Sequence, residues 1–522
     1  MANPSSLFRA LVVFTLCIFL AVFLGYIVAS PFNRTALLTF GLVFLAMAFP
    51  FLLRRHALLL IVSWNMNALV FLLPGNPPLW MVMVALSLTF SLSFFALDKH
   101  EKFLSVPSVI HPLIFLAVVV LATAQLRGGI QLGSLGGETS GGKRYIFVLA
   151  AIVGYFAFAC YSIPVKKAYQ YGSAYFLGGA SAVIGNLIPL VNPAFYFIFA
   201  IFPPEQSGLQ ALGLVQESTV TRFGGIMLAC TAVFSALLAC YGIRGVFDFS
   251  GRLAFFPFQF QGGFSVNRPW RFIIFLFTVA VSLVGGFRSA IVTFSLTFGI
   301  LFYYERLFRS RLFPALMIVA CLGAAFILPM ADRLPLSMQR SLSLLSVNVS
   351  PVARADAIQS TEWRIRIWQR ALPEVPQYLA LGKGYAINSG DLSFLQGAAN
   401  RSVDPAEVSI IAGDYHSGPL TLIIPLGIWG VIGFAWFVIA SLRVLSRNYR
   451  LSPPELVNLN RFLLVFFIAR LIYFFAIFGS FYSDFFVFVG IVGLSTSLNG
   501  GLRKKTGSKP IVKEKNAVLA SV

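Results

Sequence analysis

Four residues stand where ionisable groups are otherwise scarce. Arg222 in Thr-Arg-Phe-Gly-Gly, Arg288 in Gly-Gly-Phe-Arg-Ser-Ala, Arg364 in Glu-Trp-Arg-Ile-Arg-Ile-Trp and His416 in Asp-Tyr-His-Ser-Gly-Pro each fall at or near the edge of an apolar run. Arginine keeps its charge at any relevant pH and presents a planar fork of donors suited to phosphate oxygens. A histidine near neutrality can take a proton from a hydroxyl. Together they read as a site for a phosphorylated lipid donor and a hydroxyl acceptor. Each also has a plainer reading: His416 as a cap on a span, Arg288 as a snorkelling interfacial charge, Arg222 as a boundary charge, and Arg364 and Arg366 as the solvated face of an amphipathic helix. Arg470 lies inside an apolar run, where an unpaired charge costs at least about 2.5 to 3.5 kcal/mol. It requires a partner, either an acid such as Asp484 or a substrate phosphate.

The elements that position these residues follow from composition. The chain has 522 residues, 58% hydrophobic and 11% charged, with a mean hydropathy of +0.84. Soluble chains are about a quarter charged, so a soluble globular enzyme is excluded and the solvent for much of the surface is lipid. The 39 Lys and Arg against 18 Asp and Glu give a net charge of +21. They cluster between apolar runs, as at Arg54-Arg55, Lys166-Lys167, Arg306/Arg309/Arg311, Arg443/Arg447/Arg450 and Arg503-Lys504-Lys505. That is the pattern of cytoplasmic loops and no footprint for nucleic acid. The five cysteines lie in apolar runs without a CxxC pair and read as small core residues, not as a disulfide frame or a metal site. His56 and His100 read as solvated loop residues, and His111 as packed or interfacial.

A spanning helix needs about 20 apolar residues, which predicts an all-α polytopic integral membrane protein with about 12 to 14 transmembrane helices, near 10–30, 36–53, 57–74, 79–97, 108–124, 145–163, 172–192, 223–242, 271–286, 289–305, 312–330, 418–442, 461–479 and 481–498. The first reads as a retained anchor. The stretches 194–202 and 253–262 are apolar but too short to span and read as re-entrant or interfacial. Four regions follow: transmembrane helices over 1–330, an external (periplasmic) cap over 331–417, further transmembrane helices over 418–498 and a basic cytoplasmic tail over 499–522. With both termini cytoplasmic, every basic cluster falls on the cytoplasmic side, and Arg222, Arg288, Arg364 and His416 fall outside. The cap carries eight basic and eight acidic residues, the balance of a folded unit. Trp363, Ile367 and Trp368 at helical spacing predict an amphipathic helix over 360–372, ended by Pro373 and Pro376. Gly137 to Lys143 spells G-x-x-x-x-G-K, but Arg144 stands where a phosphate loop needs Ser or Thr and no strand precedes it, so it reads as an external glycine-rich loop.

Arg364, Trp368 and Ala371, then Pro376, then Gly382-Lys383-Gly384 are similar to the pattern R-x-x-x-W-x-x-A, P, G-x-G of the O-antigen ligase and O-antigen polymerase superfamily. His416, followed by Gly427 and Gly430 eleven and fourteen residues later, resembles the family's H-N/S-x-x-L segment entering a helix that ends L-G-x-x-G. Gly286 to Ala290 resembles its S-R-G/S-A turn, and Arg222 to Gly225 its R-x-x-G turn. The resemblance runs from about 223 to 442 and implies a glycosyltransferase of the bacterial inner membrane. Such an enzyme moves a glycan from a polyprenyl (undecaprenyl) diphosphate carrier to an acceptor glycan or glycolipid, with inversion, without a metal or nucleotide, and with chain-length or export proteins as partners. It makes Arg288 and Arg364 candidate diphosphate ligands, Arg222 a further donor-binding candidate and His416 the base. The rival expectation is a transporter or flippase of lipid-linked sugars, which binds the diphosphate and breaks nothing. A transporter of that kind should show internal repeats, and none is visible.

Overall fold

A computed structural model of the chain describes residues 34–97, 103–130, 141–204, 220–248, 269–310, 312–345, 347–387, 389–398 and 404–503, with a few isolated positions before residue 34. Nearly all of the first expected span, residues 131–140 and 205–219 of the loops 125–144 and 193–222, the stretch 253–262, Cys17, His100, Arg401 and the tail after Arg503 lie outside the described residues.

The described residues are helical. In chain order they form α1 (Arg34–Ser63), α2 (Leu79–Leu97), α3 (Pro107–Leu126), α4 (Gly141–Ala159), α5 (Ala168–Leu177), α6 (Ala182–Val191), α7 (Gly224–Val246), α8 (Pro269–Val284), α9 (Arg288–Tyr304), α10 (Leu312–Ile327), α11 (Leu336–Leu342), α12 (Pro351–Ala371), α13 (Val375–Tyr378), α14 (Ser389–Ala398), α15 (Pro405–Ile411), α16 (Gly418–Arg450), α17 (Val457–Ala476) and α18 (Phe481–Asn499). Among them eight helices are long and apolar enough to cross a membrane: α2, α3, α4, α7, α16, α18 and the helical stretches Leu312–Arg333 and Pro454–Ala476. The shorter apolar α8 and α9 join them. The protein is an all-α polytopic membrane protein.

Two expected spans take another form. The apolar run 57–74 does not make a helix of its own, because α1 continues to Ser63 and then stops ahead of Pro74-Gly75-Asn76-Pro77-Pro78. Hydropathy counts apolar side chains but not backbone partners, and here these come from elsewhere. The Leu69 N–H donates to Ile201 O (2.7 Å), Leu79 N–H to Ala68 O (2.8 Å) and Asn67 N–H to Ser181 Oγ (3.0 Å). The run 172–192 is broken into α5 and α6 by a 3-10 turn at Gly178–Ser181. The stretch 194–202 is a largely exposed 3-10 helix over Pro193–Ala200. His56 is not solvated. It is buried within α1, with Nδ1 2.9 Å from Ser87 Oγ. Cys160, Cys230 and Cys240 are buried, whereas Cys321 is exposed on α10.

The core lies where α2, α4 and α18 meet the end of α1. Trp64 is fully buried there, its ring 5.3 Å from Trp80 and 4.9 Å from Phe158. A second, smaller core sits under α12, where Ile367 and Ala371 pack with Ala406, Tyr415, Leu420 and Ile424. This cluster fixes the segment 336–411 to the start of α16. The amphipathic helix is longer than expected, Pro351 to Ala371, with Pro351 at its first turn. Pro373 and Pro376 bend it through a 3-10 turn into α13 before the chain turns at Gly382.

That turn is docked on a break in α16. Pro425 lacks an N–H and Gly427 takes φ 64°, ψ −164°, so the helix interrupts itself. Its freed carbonyls accept from the other chain segment: Lys383 N–H donates to Ile424 O (2.7 Å) and Gly384 N–H to Pro425 O (2.9 Å), while Ile428 N–H donates back to Leu379 O (2.7 Å). The Gly-Lys-Gly turn and the glycine after His416 are thus two halves of one junction.

Candidate active site

One face of α12 gathers the sequence candidates. Ala357, Thr361 and Arg364 lie at i, i+4 and i+7, a single helical stripe, with Asp356 beside it. Arg222, in the bend before α7, donates from Nη2 to Asp356 Oδ2 and Oδ1 (3.1 and 3.3 Å). Arg288, the first residue of α9, donates from Nη2 to Ala357 O (2.8 Å) and Thr361 Oγ1 (2.9 Å). Eight residues of helix separate Asp356 from Arg364, about 12 Å at 1.5 Å per residue. Arg222, Arg288 and Arg364 therefore converge.

The structure adds two residues that were not singled out in the sequence. Arg340 of α11 is buried, its Nε donating to Asp356 and its Nη1 to the carbonyl of Gly286, in the tight bend before Arg288. Asp356 thereby holds Arg340 and Arg222 together, and Arg340 holds the bend. No local pattern marks them: Arg340 sits in Gln-Arg-Ser and Asp356 in Ala-Asp-Ala, and only the packing of α11 on α12 joins them. Within this cluster four arginines face one carboxylate. Burial, first, and the charge of Arg340, next, lower the pKa of Arg222, with Asp356 opposing. Burial likewise lowers that of Arg364, which also feels Arg340. Guanidinium groups stay charged under such pressure, so the cluster is a place of concentrated positive potential that favours an anion.

His416 stands next to this cluster. Its ring lies 4.6 Å from that of Trp363 and 5.3 Å from that of Phe478, and the Arg364 guanidinium sits 5.4 Å from the centre of the same Phe478 ring. Nε2 is 3.6 Å from Asp414 Oδ2, and Nδ1 is buried with no hydrogen-bond partner among the described residues. Burial pulls the His416 pKa below the usual histidine value, Asp414 opposes this and Arg364 adds to it. The imidazole therefore favours its neutral form near pH 7, the form a base requires. Its backbone is left-handed, φ 50°, which costs a non-glycine residue about 1 to 2 kcal/mol. The surroundings hold it there: Gly413 takes φ 71°, and Trp368 Nε1–H donates to Tyr415 O (3.0 Å).

The remaining candidates lie elsewhere. Arg366 is exposed on the far face of α12, where Arg370 pairs with Asp404 (2.9 Å). Arg470 pairs with Asp484 (2.6 Å), and the second oxygen of Asp484 accepts from Ser480 N–H (2.9 Å). Of the two partners considered for Arg470, this is the structural one. Among the described residues no three His, Cys, Asp or Glu side chains are grouped as metal ligands.

The fold and site define an all-α polytopic membrane protein with a cluster of arginines beside a largely buried histidine. More particularly, residues 270–435, from α8 into the second half of α16, match the family model described as O-antigen ligase. The matched segment contains Arg288, Arg340, Asp356, Arg364, His416 and Gly427, and it supports the O-antigen ligase and polymerase superfamily and a function of that general type. With the spanning helices, it implies a multi-pass bacterial membrane protein. No curated protein matches the chain.

Proposed function

We propose that this protein is an inner-membrane glycosyltransferase that moves a glycan from polyprenyl diphosphate to an acceptor hydroxyl, as an O-antigen or exopolysaccharide polymerase or ligase, with its site on the external face. The observation that carries the reading is the convergence of Arg222, Arg288 and Arg364, joined by Arg340, beside His416. Arg288 and Arg364 bind the diphosphate, Arg222 assists, and Arg340 and Asp356 hold Arg222 and the bend that carries Arg288 in register. His416 accepts the proton of the acceptor hydroxyl as its oxygen attacks the anomeric carbon. The bond from that carbon to the phosphate oxygen breaks, and polyprenyl diphosphate leaves with the electron pair. Attack from the face opposite the leaving group inverts the anomeric centre. The negative charge that builds on the leaving phosphate meets oriented guanidinium donors, each worth on the order of a hundredfold in rate.

The test is turnover of a lipid-linked oligosaccharide by the purified protein in detergent with EDTA, comparing wild type with His416→Ala. The expected result is release of polyprenyl diphosphate and a transferred glycan by the wild type, and bound donor without product in the variant. Binding by both without release, with donor crossing the bilayer in liposomes, would replace the transferase by a transporter.

A further inference from the structure

The face of α16 that meets lipid ends in arginines. Beyond its break at Gly427 the helix exposes Trp429 (51%), Ile432 (45%), Trp436 (44%) and Ile439 (48%), the apolar stripe of a spanning helix. Arg443, Arg447 and Arg450 are the exposed residues that continue it, and at 3.6 residues per turn all seven fall within about 80° of arc. A lipid whose chains lie along the tryptophans and isoleucines therefore meets guanidinium groups at the level of its headgroup.

The arginines also wall a cavity. With Leu442, Ser446 and Leu451 they line an open cleft of about 630 Å³ at the end of α16 remote from His416, and none of these lining residues is acidic. Arg447 Nε donates to Arg503 O (2.8 Å), which joins α16 to the chain just after α18. Arg443 and Arg450 make no ion pair or hydrogen bond with the described residues. A second cleft, of about 680 Å³ between the ends of α7, α9 and α17, shows the contrast. It holds Arg244, Arg306 and Arg461 together with Asp248 and Glu305. There Glu305 pairs with Arg461 (3.2 Å) and accepts from the N–H groups of Ile243 and Arg244 (3.0 Å each), so charge is met from within. The chain after Arg503 does not supply the balance at α16, since Lys504, Lys505, Lys509, Lys513 and Lys515 outnumber its one acid, Glu514. The occupant that fits the α16 cleft is anionic, sits at the membrane boundary and is apolar on its membrane side. A phospholipid with a net negative headgroup has all three properties. The arginine fork suits its phosphate oxygens, and basic pockets at the ends of spans take such headgroups.

We propose that Arg443, Arg447 and Arg450 form a site for the headgroup of an anionic phospholipid in the leaflet remote from His416, with the acyl chains along Trp436 and Ile439. The site is separate from the arginines beside His416 and does not depend on what they bind. Its occupation braces α16 against the end of α18, which Arg447 and Arg503 already join.

The test titrates the full-length protein in a neutral detergent with phosphatidylglycerol, phosphatidylcholine or inorganic phosphate and reads the melting temperature, because a ligand held only by the folded state stabilises it. Phosphatidylglycerol is expected to raise the melting temperature of the wild type, and the other two are expected to do so much less. Arg443→Gln with Arg450→Gln is the informative double variant, since it removes two guanidinium groups that bond no described residue. Without lipid it is expected to melt with the wild type, while its apparent Kd for phosphatidylglycerol rises about tenfold or more, the contribution of two basic residues at an anionic surface. Arg54→Gln with Arg55→Gln removes the same charge from another exposed pair and is expected to leave that Kd unchanged. Equal stabilisation of the wild type by phosphatidylcholine or by inorganic phosphate, an unchanged Kd in the Arg443 and Arg450 double variant, or an equal loss in the Arg54 and Arg55 control overturns the site. Should the Arg443 and Arg450 double variant melt lower without lipid, mass spectrometry of the intact protein–lipid complex decides. Preferential retention of phosphatidylglycerol by the wild type and weaker retention by Arg450→Gln uphold the site, and equal retention overturns it.

Discussion

At the scale of residues, the environment of His416 sets its protonation. A base must be unprotonated to act, so kcat/KM falls as pH drops through the pKa of His416. Burial puts that pKa below the ordinary value of 6.5, so the acid limb of the profile is expected below pH 6.5, with a plateau above it. Asp414 raises the pKa and Arg364 lowers it. Asp414→Asn should therefore move the limb to lower pH and Arg364→Gln to higher pH, whatever either does to the height of the plateau. A pH profile of transfer between about pH 5 and 8 checks both signs, and a limb that stays in place in both variants would remove His416 as the titrating group. Asp356 makes a different kind of prediction. Its side chain is 9% exposed and that of Arg340 is 4% exposed, and removing one partner of a buried ion pair costs about 3 to 5 kcal/mol. Asp356→Ala should lower the melting temperature and abolish transfer. Asp356→Asn keeps the shape and an acceptor oxygen, so it should recover much of the stability while remaining impaired in donor binding, as measured by the donor KM.

At the scale of elements, the site depends on helices that stop or break where a side chain must be placed. Gly427 has φ 64° and its Cβ position would lie 2.8 Å from Gly382 N. Gly427→Ala must therefore strain the backbone and push the Gly-Lys-Gly turn off α16, with an expected loss of about 1 to 3 kcal/mol and a lower melting temperature in detergent. A variant as stable as the wild type would show that the junction carries no weight. The sequence exposed one half of such features and hid the other. Arg222, Arg288, Arg364 and His416 were legible because a charge at the edge of an apolar run is conspicuous and because the surrounding glycines and tryptophans match a family pattern. Arg340 and Asp356 were not, because their meaning is a contact between α11 and α12 that no spacing encodes. Hydropathy likewise found α2, α3, α4, α17 and α18 within four residues and the start of α16, whose end it placed eight residues short, yet it read 57–74 as a span. There the chain leaves the helix, and long-range bonds to Ile201 and Ser181 satisfy its backbone.

At the scale of the molecule, the sidedness that the proposed function requires rests on one helix more firmly than on a count of spans. A count is fragile, since the expected spans 36–53 and 57–74 are replaced by a single helix, α1. α16 begins at Gly418, two residues after His416, breaks at Gly427 and continues from 428 to Arg450, about 35 Å at 1.5 Å per residue against a hydrocarbon core of about 30 Å. It is long enough for its two ends to reach opposite faces. The far end carries Arg443, Arg447 and Arg450, which line an open cleft with Ser446 and no acid. Basic residues at the ends of spans mark the cytoplasmic face, which supports the proposed external placement of His416, where a carrier lipid would present a finished glycan. Gln369 is exposed on α12 and Ser446 is partly buried in the arginine cleft. In a Cys321→Ser background, Gln369→Cys should react with a membrane-impermeant maleimide once the inner membrane's outer face is exposed in spheroplasts, while Ser446→Cys should react only after lysis. The reverse pattern would put the arginine cluster and His416 in the cytoplasm, where a periplasmic acceptor cannot reach them, and the transferase reading would fall with the orientation.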